Sequence, residues 1–314
     1  MSRCPARYDE ALGMWVVDDP GQVRDVLLDP GTFRPDNAVL AHTPLSVPAL
    51  RVLSSVGFAL PPTLANNAGP SHRPIRQAVA RFFSPAKVAA VEPLTRRLFS
   101  ERLAQVQDRL DAGDEVDLVS YVAAEPPALV LLHLLRLHEV DVPALKRWSR
   151  DSLELFWGWP DPDRQLELAH SAAAFYAWLR ERTESASADD LFGVLVALGL
   201  SEEEVCAVAY FLLIAGQETT SQLISAAYHR LVGRPITNAA EAVEDVLREA
   251  SSVPTWRRVT AGPAEVGGVR LPGGAPVLLG LTGGGGPADL AFGLGIHRCL
   301  GAGLARLEAR VAVE

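Results

Sequence analysis

Apolar residues recur at helical spacing over most of this chain. Residues 87–112, 118–138, 142–157 and 163–185 form long amphipathic stretches with few internal breakers. The exception is Pro126-Pro127, which predicts a break or kink inside the second stretch. Ser201 and Glu204 have capping-box spacing and open a helix expected to run to about residue 232. About 31 residues give roughly 46 Å, enough to cross the molecule with a buried middle. Ser71 stands where an N-cap is expected for a helix over "HRPIRQAVARFF", which stops at Ser84-Pro85. Residues 241–250 and 300–313 add two helices, the last with Leu300, Leu304, Leu307 and Val311 on one face.

The remainder reads differently. "MWVVDD" at 14–19 predicts a short strand, and "VRDVLLD" predicts a short helix ended by Pro30-Gly31. Residues 35–70 are rich in Pro, Asn and Ser and predict loops with short helices. Between 261 and 281, Gly-Gly turns alternate with short apolar runs, the pattern of strands and hairpins. "TGGGGP" at 282–287 is a flexible or very tight link. No internal repeat and no domain linker interrupts the chain. The expected fold class is therefore mainly α with a small β-sheet, in a single domain over 1–314.

Composition narrows the possibilities. Hydrophobic residues make up 48% and charged residues 21% of the 314, ordinary values for a protein with a sizeable core. The 29 basic and 38 acidic residues give a net charge of −9. With no clustered Lys or Arg, this is a poor nucleic-acid binder. No apolar run approaches the roughly 20 residues of a spanning helix, and no signal peptide is apparent, so no membrane association and a cytoplasmic location are expected. Three cysteines (Cys4, Cys206, Cys299) are too few and too scattered for a disulfide framework or a structural zinc site. One of them is left available for chemistry.

That cysteine is Cys299, within "FGLGIHRCLGAGLARLEA" at 292–309. It follows a glycine-bearing loop and opens a helix, where the partial positive charge of the N-terminus stabilises a thiolate. Gly293 and Gly295 let the loop backbone approach a flat ligand, and Gly301 and Gly303 let the following helix pack near it. A second unusual segment lies mid-helix: "LLIAGQETTSQL" places Gly216, Glu218 and Thr219 among apolar neighbours. Glycine weakens a helix by about 1 kcal/mol relative to alanine, and a buried carboxylate is costly unless partnered. Threonine can bond an earlier carbonyl and bend the helix. Together they predict a polar notch in an apolar wall.

Phe292, Gly293, Gly295, His297, Cys299, Gly301 and Ala305 resemble the haem-binding signature of cytochromes P450. Residues 215–220 resemble the oxygen-activation motif of the same family. The resemblance implies haem b, with Cys299 as the thiolate ligand of its iron. It also implies Thr219 as the residue that hydrogen-bonds dioxygen and Glu218 as a carrier of protons for O–O cleavage. Gly216 would lie against the cofactor. His72 and Arg76, four apart on one helix face, resemble the family's propionate-binding pair, and Arg258 and His297 are similar to further propionate partners. The implied activity is a monooxygenase acting on a small organic, natural-product-like molecule. Its electrons would come from a ferredoxin and its reductase. The alternative is a non-oxidative or peroxide-driven haem protein that acts as a ligand-binding scaffold.

Candidate pocket residues are those of 46–65 and 154–159, with Leu212 or Ala215. Phe156, Trp157 and Trp159 either stack on substrate or pack between helices. The sequence also departs from the family. Asp245 stands where the Glu of a Glu-x-x-Arg pair with Arg248 is expected, with Glu244 as a second candidate partner for a buried Arg248. The meander before the cysteine loop is short, and the family's C-terminal strands are absent from the sequence.

Overall fold

The computed structural model describes residues 5–282 and 286–314. Residues 283–285 of the glycine link expected over 282–287, and Cys4, lie outside the described residues. In chain order the elements are β1 (Arg7–Asp9), β2 (Met14–Val17), α1 (Pro20–Leu28), β3 (Phe33–Arg34), α2 (Val47–Ser55), α3 (His72–Ala80), α4 (Pro85–Ala90), α5 (Glu92–Asp111), α6 (Pro126–Leu135), α7 (Val142–Trp157), α8 (Pro162–Glu184), α9 (Leu191–Ala197), α10 (Glu202–Ala215), α11 (Glu218–Leu231), α12 (Ala239–Glu249), β4 (Thr255–Thr260), β5 (Ala264–Val266), β6 (Val269–Leu271), β7 (Pro276–Gly280) and α13 (Ala302–Val313).

Local chemistry sets many of these boundaries. Asp141 caps α7 through Ala144 N–H at 3.0 Å, ahead of a proline in the first turn. Ser201 and Glu204 form the expected capping box, with bonds of 2.9 and 3.3 Å. The Pro126-Pro127 break is present: a π-helical turn, Val119–Ala123, precedes α6. Two expectations are corrected. Ser71 makes no capping bond because its backbone is already helical, and its hydroxyl instead accepts from Asn67 Nδ2 at 3.0 Å. The stretch over 87–112 divides between α4 and α5, where Pro93 restarts the helix.

Helices α7, α8 and α10 build the largest apolar core with α2, α6 and α9. Phe175, Tyr176 and Tyr210 are buried at its centre, and Tyr210 Oη donates to Ser152 Oγ at 2.7 Å. Residues of α11, α12 and α13 share a second core. The sheet runs β1-β2-β7-β4-β3, with only β2 and β7 parallel, and β5-β6 is a separate hairpin. Side chains alternate along β4, so neighbouring Arg257 and Arg258 leave on opposite faces. Among the described residues no helix is long and apolar enough to cross a membrane.

Candidate functional site

The cysteine loop is closed by its own backbone. Cys299 N–H donates to the Phe292 carbonyl at 2.8 Å, and Arg298 N–H donates to the Gly295 carbonyl at 3.2 Å. Cys299 precedes α13 within one turn. Gly295 has φ +69°, and a Cβ there would lie 2.9 Å from the Leu27 carbonyl oxygen, so no other residue fits. A Cβ on Gly301 would stand 3.9 Å from Cys299 Sγ. Dense protein around Cys299 pushes its thiol up, while the Gly301 N–H and the fields of Arg76, Arg298 and Arg306 pull it down. The side chain is nevertheless exposed to solvent. That open face weakens the first effect and leaves the thiolate-favouring ones in place.

Beside this loop the structure brings together all four expected propionate partners, His72, Arg76, Arg258 and His297. His72 and His297 have ring centroids 5.0 Å apart. His297 Nε2–H donates to the Asn67 carbonyl at 2.8 Å, which leaves Nδ1 to accept from Arg258 Nη2 at 3.5 Å. This fixes the neutral tautomer, and burial, with Arg258, His72 and Arg76 nearby, pushes the His297 pKa down to about 4. Arg76 Nη2 donates to the Arg298 carbonyl, tying α3 to the loop. Arg258 is 1% exposed, and burial lowers its pKa to about 10. It donates to the Arg257 carbonyl at 2.8 Å, but its Nε has no partner among the described residues, and neither has His72 Nε2. Neither Arg76 nor Arg258 has a carboxylate within ion-pair distance among the described residues. Two guanidiniums and two orphaned donors beside a cysteine fit the paired carboxylates and the iron of a haem.

The long helix expected over 201–232 is not continuous. It is broken at Gly216-Gln217 into α10 and α11, each about 21 Å long. Thr219 Oγ1 donates to the Ala215 carbonyl at 2.6 Å across the break. Glu218 is buried and held by Lys146 Nζ of α7 at 2.7 Å; Lys146 also donates to Ser221 Oγ at 3.3 Å. Burial lowers the Lys146 pKa, and Glu218 opposes that shift. Gln217 Nε2 donates to Ser149 Oγ at 2.9 Å. A Cβ on Gly216 would lie 2.9 Å from both Leu131 Cδ2 and the Leu212 carbonyl oxygen, so close packing requires glycine there. Sequence reasoning missed Lys146. The available signal was Ser149 and Ser152 on the core face of α7, polar positions that ask for polar partners.

The expected Arg248 network is also corrected. Asp245 and Arg248 do pair, but both side chains are exposed, at 62% and 47%, so Arg248 is not buried. Glu244 pairs instead with Arg306 of α13, at 2.5 and 3.2 Å.

A cavity of about 910 Å³ is lined by Leu40, Leu45, Phe58, Leu60 and Phe156, with Arg34, Asp36 and Asn67 among its polar atoms. Of the expected pocket residues, Phe58, Leu60 and Pro62 of 46–65 and Phe156 contribute, whereas Leu212 and Ala215 do not line it. Trp157 instead donates to the Ala38 carbonyl at 3.3 Å, and Trp159 is exposed, stacking on His42 at 5.0 Å.

No family model matches the chain. Curated relatives do. The chain is 29% identical to erythromycin C-12 hydroxylase of Saccharopolyspora erythraea, over 98% of its own length and 82% of that protein's. It is 31% identical to vitamin D(3) 25-hydroxylase of Pseudonocardia autotrophica, over 78% and 67% respectively. Among solved structures, cytochrome P450 CREJ in complex with (4-ethylphenyl) dihydrogen phosphate superposes with a TM-score of 0.88 at 28% identity, covering 99% of this chain and 85% of that one. With the cysteine loop and the broken helix already in place, these likenesses show that the chain belongs to the cytochrome P450 family of oxidoreductases.

Proposed function

We propose that residues 1–314 form one haem-binding unit, a haem-thiolate monooxygenase in which Cys299 supplies the iron ligand. Its substrate is a small, largely apolar organic molecule of natural-product size, and its electrons come from a ferredoxin served by a reductase. The observation that carries this reading is the convergence of Cys299 with Arg76, His72, Arg258 and His297, where the buried Arg258 has no acidic partner among the described residues. Haem held by a cysteine thiolate supplies reductive activation of dioxygen.

The chain's own residues do the rest. Arg76, Arg258 and His72 would hold the propionates, and His297, whose one N–H is spent on the Asn67 carbonyl, would steady Arg258 through Nδ1. Thr219 spends its hydroxyl proton on the Ala215 carbonyl, so its oxygen is left to accept a hydrogen bond. Glu218, one residue earlier, holds a proton-exchanging carboxylate whose charge Lys146 compensates inside the protein. The cavity's volume lies in the range of organic-ligand sites, and its apolar lining suits a hydrophobic substrate. The names of the hydroxylases reported above support the same substrate class.

The test is the absorption spectrum of the reduced, haem-loaded protein with carbon monoxide. A strongly red-shifted Soret band that disappears in Cys299→Ser is expected. A wild-type protein without the band, or a variant indistinguishable from it, overturns the assignment. Thr219→Ala should uncouple NAD(P)H consumption from product formation when ferredoxin and its reductase are supplied. Coupled turnover by the wild type separates the monooxygenase from the scaffold or peroxide-driven alternative.

A further inference from the structure

The loop that carries Cys299 needs an external support, because its own two backbone bonds fix its shape but not its position. The Asp245–Arg248 pair lies on the surface and does not supply it. A half-buried arginine stands closer to the loop. Arg306 lies on α13, two turns beyond Cys299. Its guanidinium meets Glu244 of α12 twice, at 2.5 and 3.2 Å, and Asp289 of the turn Ala288–Phe292 at 2.7 Å. The same group lies over the Phe292 ring, 4.6 Å from its centroid. Phe292 is the residue whose carbonyl accepts from Cys299 N–H. One planar cation therefore joins α12, the turn before the loop and the helix after it. The fork geometry suits arginine and not lysine.

We propose that Arg306, with Glu244 and Asp289, is the brace that positions the cysteine loop in this chain. Arg306 is a positioning residue: it acts on the sulfur through Phe292. The side chains of Arg306 and Glu244 are 26% and 32% exposed, which leaves them sheltered enough for a bidentate pair to hold a geometry. Asp289, 53% exposed, is the weaker arm of the brace, and the Asp245–Arg248 pair, with both side chains exposed and no contact to the loop among the described residues, is no alternative to it. The inference rests on the haem-thiolate reading of Cys299.

The experiment compares wild type, Arg306→Gln, Glu244→Gln and Arg248→Gln as haem-loaded proteins. Two quantities are read: the red-shifted band of the reduced carbon monoxide complex, and amide hydrogen exchange across 292–301. Arg306→Gln should lose most of the band, Glu244→Gln part of it, and both should exchange the Cys299 amide about tenfold faster, the local opening expected when a charge-assisted bond is removed. Arg248→Gln should match wild type in both. Unchanged band and exchange in Arg306→Gln and Glu244→Gln overturn the brace, as does Arg248→Gln failing in the same way. If Arg306→Gln does not fold, Glu244→Gln decides alone, since it removes the contact and keeps the arginine. A wild-type protein lacking the band sinks the reading of Cys299 instead, and the exchange comparison still tests the brace.

Discussion

Two regions of this molecule bury charge, and they do it in opposite ways. At the break between α10 and α11, Glu218 and Lys146 are both almost fully buried and are paired at 2.7 Å. The charges there cancel inside the protein. Beside the cysteine loop, buried Arg258 and half-buried Arg76 meet only carbonyls and a neutral imidazole among the described residues, and Arg258 Nε and His72 Nε2 have no partner there. A folded chain does not keep a guanidinium in the interior without a counter-charge at no cost, because burial penalises the charged form. The first region balances its charge within the chain, although among the described residues Gln217 Oε1 accepts no hydrogen bond and Glu218 Oε1 none beyond its ion pair with Lys146; the second region does not balance its charge. The difference matches the roles proposed above, proton handling for the first region and cofactor holding for the second.

The comparison breaks most readily at Lys146. Lys146→Met leaves Glu218 buried without a partner and should cost about 3–5 kcal/mol in denaturant unfolding. The double variant Lys146→Met, Glu218→Leu should recover most of that loss, because an apolar pair needs no compensation. If the double variant is as unstable as the single one, the charges are not a self-cancelling pair.

Arg258 should behave in reverse. Arg258→Met in haem-free protein removes an uncompensated buried cation and should leave stability within about 1 kcal/mol of wild type, or raise it. In loaded protein it removes a charge-assisted contact worth about 1.5–3 kcal/mol, which weakens haem retention roughly tenfold to a hundredfold. Transfer of haem to an apo-globin acceptor measures the second effect. Should Arg258→Met destabilise the haem-free fold as much as Lys146→Met does, the arginine cluster is structural and the contrast fails.

Much of this was legible in the sequence, and the illegible parts share a cause. Local chemistry announces itself: Ser201 and Glu204 cap α10, Pro126-Pro127 breaks its helix, and Gly216 with Thr219 marks the notch. Gly295 sits where only glycine fits. Contacts made across the chain leave no such mark. Lys146 is 72 residues from Glu218, the parallel register of β2 and β7 joins residues about 260 apart, and the link from His297 goes to a backbone carbonyl, which every residue carries. Arg248 was misjudged because the helix pattern shows that Asp245 can reach it but not whether a neighbouring element covers the pair. Arg306 looked like any helical arginine until α12 and the turn at Asp289 were placed around it.

Glu308 sharpens the argument from the acidic side. It is fully buried on α13, and neither carboxyl oxygen has a partner among the described residues. Unlike a guanidinium, a carboxyl can escape the penalty by keeping its proton, and burial raises its pKa well above the ordinary range. The sign follows. Above the unfolded value the unfolded chain gives up this proton and the folded chain keeps it, so Glu308 increasingly destabilises the fold as pH rises toward the folded value. Glu308→Leu should therefore stabilise by about 1–3 kcal/mol at neutral pH, with the gain shrinking as pH falls toward the ordinary carboxyl range and levelling off below it. A gain independent of pH would mean that packing, not ionisation, sets the effect.

Ser149 offers the smallest and finest test. Its hydroxyl accepts from Gln217 Nε2 at 2.9 Å, a neutral bond within the same notch that holds the Lys146–Glu218 pair. Ser149→Ala removes an acceptor from a buried amide and leaves every charge paired. Its expected cost is about 1 kcal/mol, the ordinary worth of a neutral buried bond, a small fraction of that for Lys146→Met. The ratio of the two losses, measured under one denaturant protocol, is what matters. A Ser149→Ala loss equal to that of Lys146→Met would show that the notch is held by its hydrogen-bond geometry as a whole, with no special place for charge cancellation. A small loss, with Glu218 still paired, would leave the two regions distinguished by charge alone.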